Sequence, residues 1–478
     1  MSDEGNAIPE ETGSKTIAGM ERRDFLQALA TVPVLGVFGY ALYKEIGYQN
    51  AQKAAAAGSE TTAADLAELN VALIGYGAQG GVLLDSMLRI PNLRFRAVCD
   101  VWEEYSLQRA VALLTSYGFE VNGYRDYRDM LDNEQGLDAV IIATPDFWHA
   151  QHTVDCLQAG LNVYCEKEMS NTLEGAQRMV AAAHETGKLL QIGHQRRSHP
   201  RYIHCYENLL KEARLLGRIV TVNGQWNRSV QPDLGWPRGT EISQAQLREF
   251  GFTSMEQFRN WRWYKGLGGG PIVDLGSHQI DIYNWFLEAR PRSVIASGGT
   301  DYYSEATHEW YDTAMVIFEY ETEGGMARAY YQTQTTNGSQ GYFENFMGDE
   351  GTLVLSESTS NYPGSIFRQP TAPTWDDWVR LGYVSTPKIQ MISQETEAAQ
   401  AVLDVRETIS PDEHDIPIVL NKPVHQPHLE NFFNSVRGLE ELNCPAEIGY
   451  ETAATVLKVN DAIEAGERLY YDPDEFEV

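Results

Sequence analysis

Asn70-Val71-Ala72-Leu73-Ile74-Gly75-Tyr76-Gly77-Ala78-Gln79-Gly80 is a short apolar run that breaks into a glycine triplet, and an apolar helical stretch follows from Val82 to Leu88. Each glycine has a task in a strand–turn–helix unit. Gly75 makes the tight turn, Gly77 lets backbone approach a pyrophosphate, and Gly80 lets helix and strand pack closely. Free N–H groups at the helix N-terminus then hold the phosphates, with Tyr76, Ala78 and Gln79 completing the cradle. A second strand, Leu93–Cys99, ends in Asp100. A carboxylate there accepts hydrogen bonds from ribose hydroxyls and repels a 2′-phosphate. The expected cofactor is NAD, with NADP the lesser option.

The alternation continues along the chain. Asp138–Ala143, Asn162–Cys165 and Leu189–Ile192 read as strands, and Asp146–Ala159 and Leu173–Thr186 as helices. Strands separated by helices of this length imply a mostly parallel, right-handed sheet. Ligands of such sheets sit outside the carboxyl ends of the strands. Three loops are singled out: Thr144-Pro145-Asp146, Glu166-Lys167-Glu168 and Gly193-His194-Gln195-Arg196.

The 478 residues carry 37 Lys+Arg against 67 Asp+Glu, a formal charge of −30. With no basic surplus to neutralise phosphates, nucleic acid is excluded as the main partner. Small ligands need only local charge. Cys99, Cys156, Cys165, Cys205 and Cys444 form no CxxC pair and no metal-ligand spacing, so they read as buried small hydrophobes and no metal is expected. Near the N-terminus, Glu21-Arg22-Arg23-Asp24-Phe25-Leu26 leads into an apolar run over 26–43. The twin arginine resembles a Tat export signal. Residues 1–45 are then a signal or N-terminal anchor and 46–69 a linker. The expected location is the periplasm or the outer face of the inner membrane. Cleavage and retention both stay open, since the run is at the lower limit for a membrane span.

Lys167 directly follows a buried strand, at the edge where a nicotinamide would lie; the plain alternative is a surface lysine at a strand end. Gly268-Gly269-Gly270-Pro271 opens a helix that carries Asp274 and His278, four residues apart on one face, with Asp281 close to that face. An Asp one turn before a His can hold the imidazole tautomer, and the His can move a proton near neutral pH. A merely polar helix face is the competing reading. Trp261 and Arg262, in Asn260-Trp261-Arg262-Trp263-Tyr264-Lys265, place rings beside cations and suit sugar recognition. His149 and Arg196 are weaker candidates for the same cleft.

Taken in order, the glycine motif, Asp100, Thr144-Pro145, Glu166-Lys167 and Asp274-x-x-x-His278 resemble the glucose–fructose oxidoreductase / inositol dehydrogenase (Gfo/Idh/MocA) family, over roughly 70–469. The resemblance implies an α/β fold: an NAD(P)-binding Rossmann domain (70–195), then a substrate and oligomerisation domain (196–478) with a large open, mostly antiparallel sheet. Ile219–Arg228, Ser293–Gly299, Thr313–Tyr320, Ala327–Thr335 and Gly351–Leu355 would supply that sheet, with 356–423 an irregular insertion and Pro427–Leu439 and Thr452–Ala465 closing helices. It further implies hydride transfer on a sugar, polyol or derivative, and a homodimer or homotetramer built through the sheet. By this resemblance Lys167 contacts substrate and nicotinamide ribose, and Asp274 and His278 form a catalytic pair in which the Asp tunes the His. Where the family usually has Glu-Lys-Pro, Glu168 follows the lysine. Proline permits a cis bond, so Lys167 is expected on a different loop conformation with an extra carboxylate nearby. Two other readings remain: redox-assisted glycoside hydrolysis on the same fold, and a non-catalytic nucleotide-binding protein.

Overall fold

The computed structural model describes residues 66–357, 364–388 and 410–478. The twin-arginine segment and the 26–43 run lie outside them. Among the described residues no helix is long and apolar enough to cross a membrane.

The first sheet has six strands: β1 (Leu69–Ile74), β2 (Leu93–Cys99), β3 (Asn122–Tyr124), β4 (Ala139–Ile142), β5 (Asn162–Cys165) and β6 (Leu190–Ile192). Their order is β3-β2-β1-β4-β5-β6, all parallel. Helices cover both faces, so central strands such as Ala139-Val140-Ile141-Ile142 are apolar without alternation. The strand order reverses between β1 and β4, opening a crevice at their carboxyl ends. Gly80 sits where a Cβ would lie 2.0 Å from the Gly75 carbonyl oxygen, and Gly75 has φ +92°. No other residue fits either place.

The second sheet has nine strands: β7 (Ile219–Asn227), β8 (Pro291–Gly299), β9 (Thr313–Thr322), β10 (Gly325–Gln334), β11 (Tyr342–Gly348), β12 (Gly351–Leu355), β13 (Ser365–Arg368), β14 (Asp412–Asp415) and β15 (Leu469–Tyr470). Their order is β14-β13-β12-β11-β7-β10-β9-β8-β15, antiparallel except where β7 meets β10. Strict alternation in β9 turns Ala314, Val316, Phe318 and Tyr320 inward, against the almost wholly buried helix Gly270–Leu287 and the helix Ala446–Ala465. The other face leaves Ile295, Met315 and Ile317 substantially exposed.

Three readings need correction. Leu69 belongs to β1 rather than to a linker. The 356–423 insertion is not uniformly irregular: β13 and β14 extend the sheet through it, and the helix Asp376–Arg380 lies between them. Finally, the division after residue 195 is not a division of cores. Leu429, Phe432 and Phe433 of the helix Gln426–Val436 pack into the first sheet's core with Leu69, Phe95 and Tyr164. Arg437 donates to the Ala67, Pro91 and Asn92 carbonyls, and Tyr450 and Ala453 complete the sheet's opposite face. All five cysteines are free and buried.

Candidate active site

Neighbouring strands end in register: the Gly75 N–H donates to the Cys99 carbonyl, Ala143 N–H to Ile74 and Glu166 N–H to Ile142. This gathers the loops after β1, β2, β4 and β5 around one cleft. Gly75, Gly77, Ala78 and Gln79 form one wall, and Asp100, Thr144, Pro145, Glu166 and Lys167 the rest. The helix Ala78–Met87 has no side-chain cap, so its first N–H groups face the cleft unsatisfied. A Cβ on Gly77 would meet nothing within 4 Å, so the space before those groups is open. Asp100 is fixed by the Tyr76 N–H (2.7 Å) and the Trp102 N–H (2.8 Å). Burial pushes its carboxyl up to about 6, against those two bonds and Arg259. The cradle fits a dinucleotide.

The far end of this cleft is closed by chain from the second domain. Leu234, Phe250, Phe252, Phe258 and Arg259 line it. The Trp102 indole N–H donates to the Thr240 carbonyl and that of Trp148 to Phe250 (3.2 Å), while the Arg259 guanidinium lies 5.0 Å over Trp102. This strap was not read from the sequence beyond Asn260–Lys265; its signal is the density of aromatic residues between Phe250 and Trp263.

A second cleft, of about 540 Å³, meets the first at Gln79, Glu166, Lys167 and Arg262. At the junction the Lys167 ammonium donates to the Asp274 carbonyl and, at 3.0 Å, to Asp274 Oδ1. Arg262 Nε holds the other carboxylate oxygen at 3.1 Å. Burial would raise the Asp274 pKa, but Lys167, Arg262 and Arg228 outweigh it and hold the carboxyl well below the usual range. His278 lines the same cleft, its Nδ1 buried without a partner. Burial, then Lys167, keep its pKa far below the ordinary histidine value, so the ring is neutral. Trp226 lies 5.4 Å from it, stacked at 4.4 Å on Tyr342. Trp261 and Arg262 both line the cofactor cleft, with the guanidinium 4.3 Å over the indole.

Several expectations fall elsewhere. Asp274 serves Lys167 and Arg262 rather than His278, because the ammonium is the stronger donor within reach. Arg196 lines neither cleft; it is buried against Glu344 and Glu357. Asp281 is buried too, paired with Arg197 and accepting from Thr452. His149 is buried with Nδ1 2.7 Å from the Glu168 carbonyl and Nε2 2.8 Å from the Thr144 carbonyl, its single N–H donating to one of them, so it sits between the two loops and does not line the cleft. The Lys167–Glu168 bond is cis. Two further residues join the site, Asp146 from a loop already singled out and His425 from outside those loops. Asp146, after Thr144-Pro145, is pushed up to about 7 by burial and by Asp274; His425 lies 3.0 Å from Gln79 and lines the second cleft.

The extra carboxyl of Glu168 is fully buried. It accepts from the Met169 N–H with one oxygen and has no partner for the other. Burial raises it from 4.5 to about 8, with Lys167 opposing. Between those values the folded state binds the extra proton, so stability falls as pH rises. Glu168→Gln should therefore gain on the native chain between pH 5 and 8, then hold a constant advantage, on the order of 5 °C at pH 9. Parallel melting curves against pH would refute this reading.

Two family models match: an oxidoreductase family with an NAD-binding Rossmann fold over 69–194, and a GFO/IDH/MocA C-terminal domain over 210–354. Among curated proteins, the chain is 27% identical over 263 residues to an inositol 2-dehydrogenase of Rubrobacter xylanophilus, covering 55% of this chain and 63% of that one. It is 30% identical over 237 residues to a scyllo-inositol 2-dehydrogenase (NADP(+)) of Bacillus subtilis, covering 48% and 54%. The matches thus span between half and two thirds of those relatives. An oxidoreductase domain protein from Kribbella flavida shares the fold, with TM-score 0.63 at 18% identity over 85% of this chain and all of that one.

Proposed function

The chain belongs to the Gfo/Idh/MocA oxidoreductase family, and from that footing we propose that it transfers a hydride between NAD(H) and a hydroxyl-bearing carbon of a sugar, polyol or related compound. The observation that carries the reading is the junction of the two clefts, where Lys167, Asp274 and His278 stand together beside the nucleotide cradle. A dinucleotide held in the cradle would supply the hydride acceptor, its reduction balancing oxidation of the alcohol to a carbonyl. Asp274 and its own carbonyl aim the Lys167 ammonium at the junction. There a fixed positive charge stabilises the oxygen as its proton leaves. His278, uncharged and lining the cleft, is the group that takes that proton. Arg262 secures Asp274 from the far side.

The exposed Ile295, Met315 and Ile317 support self-association through the second sheet, since Ile295 and Ile317 are cross-strand neighbours on an open face. Export by the Tat route, to the periplasm or to an anchored position outside the inner membrane, is the reading of residues 21–43. The redox-assisted glycosidase remains the second reading, and the strap favours it: a nucleotide enclosed at its far end suits oxidation and re-reduction at one site. Supplying the purified protein with NAD+ and a panel of polyols, hexoses and glycosides separates the two. Accumulating NADH absorbance supports the dehydrogenase. Sugar release without NADH points to the glycosidase, and neither signal with any compound removes the proposal.

A further inference from the structure

The second cleft holds a cation whose part so far is only to help Lys167 and Arg262 keep the Asp274 carboxyl low. Arg228 follows β7 directly, tied by its backbone N–H to the Gln334 carbonyl at 2.8 Å, and its side chain lines the cleft. The neighbouring cations are committed. Lys167 and Arg262 share Asp274, and Arg259 donates to the Gly235 carbonyl. The Arg228 guanidinium lies 5.2 Å from the Trp226 ring and, among the described residues, has no carboxylate within 4 Å and no side-chain hydrogen bond. The acids lining the cleft are turned elsewhere. Glu357 faces Gln195 and Arg196, Asp233 lies 3.6 Å from His308, and Glu166 accepts from Gln79 and Tyr164. Around the cleft Lys167, Arg228, Arg259 and Arg262 are matched in number by Glu166, Asp233, Asp274 and Glu357, so what sets Arg228 apart is its free guanidinium and not a surplus of charge.

We propose that the cleft selects a sugar acid, with the substrate carboxylate received by the Arg228 guanidinium and the sugar ring held beside Trp226. The inference rests on the hydride-transfer reading and names its substrate class. A planar guanidinium with all its donors free matches a carboxylate in bidentate fashion, which a neutral hydroxyl cannot do. Trp226 carries Arg228 near its ring and has His278 5.4 Å away, so anion capture and proton removal flank a single indole. A hexuronate, with a carboxylate at one end and ring hydroxyls at the other, spans such a pair of sites. A neutral hexose would leave Arg228 buried under the ligand without a partner, a cost that disfavours it.

The test uses the full chain loaded with NAD+, with D-glucuronate and D-galacturonate against D-glucose and D-galactose. Binding is read by calorimetry and turnover by NADH absorbance. The expected result is at least tenfold tighter binding of the acids, with kcat/KM following. Arg228→Leu should bring the acid-to-neutral ratio to near one, and Arg228→Lys should keep part of it; melting temperatures confirm that both variants fold. Neutral sugars bound as well as acids, an equal loss for both classes in Arg228→Leu, or no uronate binding would each overturn the proposal. Selective uronate binding without NADH formation would uphold the acid site and refute net dehydrogenation. NADH formation from hexoses in preference to uronates would do the reverse.

Discussion

Lys167→Met is expected to lower kcat by about a thousandfold while leaving NAD+ affinity within a few-fold of native. The ammonium is the one cationic group that Asp274 holds at the junction of both clefts by its carbonyl and its carboxylate together. Methionine keeps most of the side-chain length and removes the charge, so a developing alkoxide loses its stabilising partner at the moment it forms. The glycine turn, the Ala78–Met87 helix and Asp100, which form the nucleotide cradle, are untouched. Stopped-flow reduction of bound NAD+, beside a fluorescence titration of the nucleotide, separates chemistry from binding. Native rates in the variant would remove Lys167 from the mechanism.

Arg196→Ala should cost about 3–5 kcal/mol of stability, because it strands a buried charge. Glu344 is fully buried; it takes one bond from Arg196 and one from the Tyr202 hydroxyl at 2.7 Å. Glu357 loses a partner in the same step. A double variant, Arg196→Met with Glu344→Met, should recover much of the loss, since two apolar side chains carry no desolvation penalty. Urea denaturation of the native chain, both singles and the double gives the cycle. If Arg196 served substrate instead, the single variant would keep its stability and raise KM.

That contrast shows where sequence reading stops. The glycine triplet, Asp100 and Lys167 are legible because strand, turn and ligand group are contiguous, and each residue type has one physical reason to stand there. Arg196 and Arg228 are different. Each is an arginine near a strand end, and their difference lies in a carboxylate partner 148 residues away for one and, among the described residues, no carboxylate within 4 Å for the other. Asp281 is the same case, its face settled by Arg197 and Thr452. β11 was missed because Glu344 occupies an inward position that alternation would assign to an apolar residue. β14 was missed because Asp412-Glu413-His414-Asp415 reads as an acidic loop, although His414 is buried against Trp375. The strap was hidden for a third reason: aromatic residues signal burial without saying against what.

The return of the Gln426–Val436 helix to the first sheet bears on how the molecule is made. Synthesis runs from the N-terminus, so the six parallel strands leave the ribosome long before Phe432 and Phe433 exist to cover them. Until Arg437 reaches the Ala67, Pro91 and Asn92 carbonyls, one side of the oldest core is open to water and to other nascent chains. The second sheet, built from intervening chain, can form in that interval. The half of the protein made first is thus finished last, and its exposed flank is the surface a chaperone would have to guard.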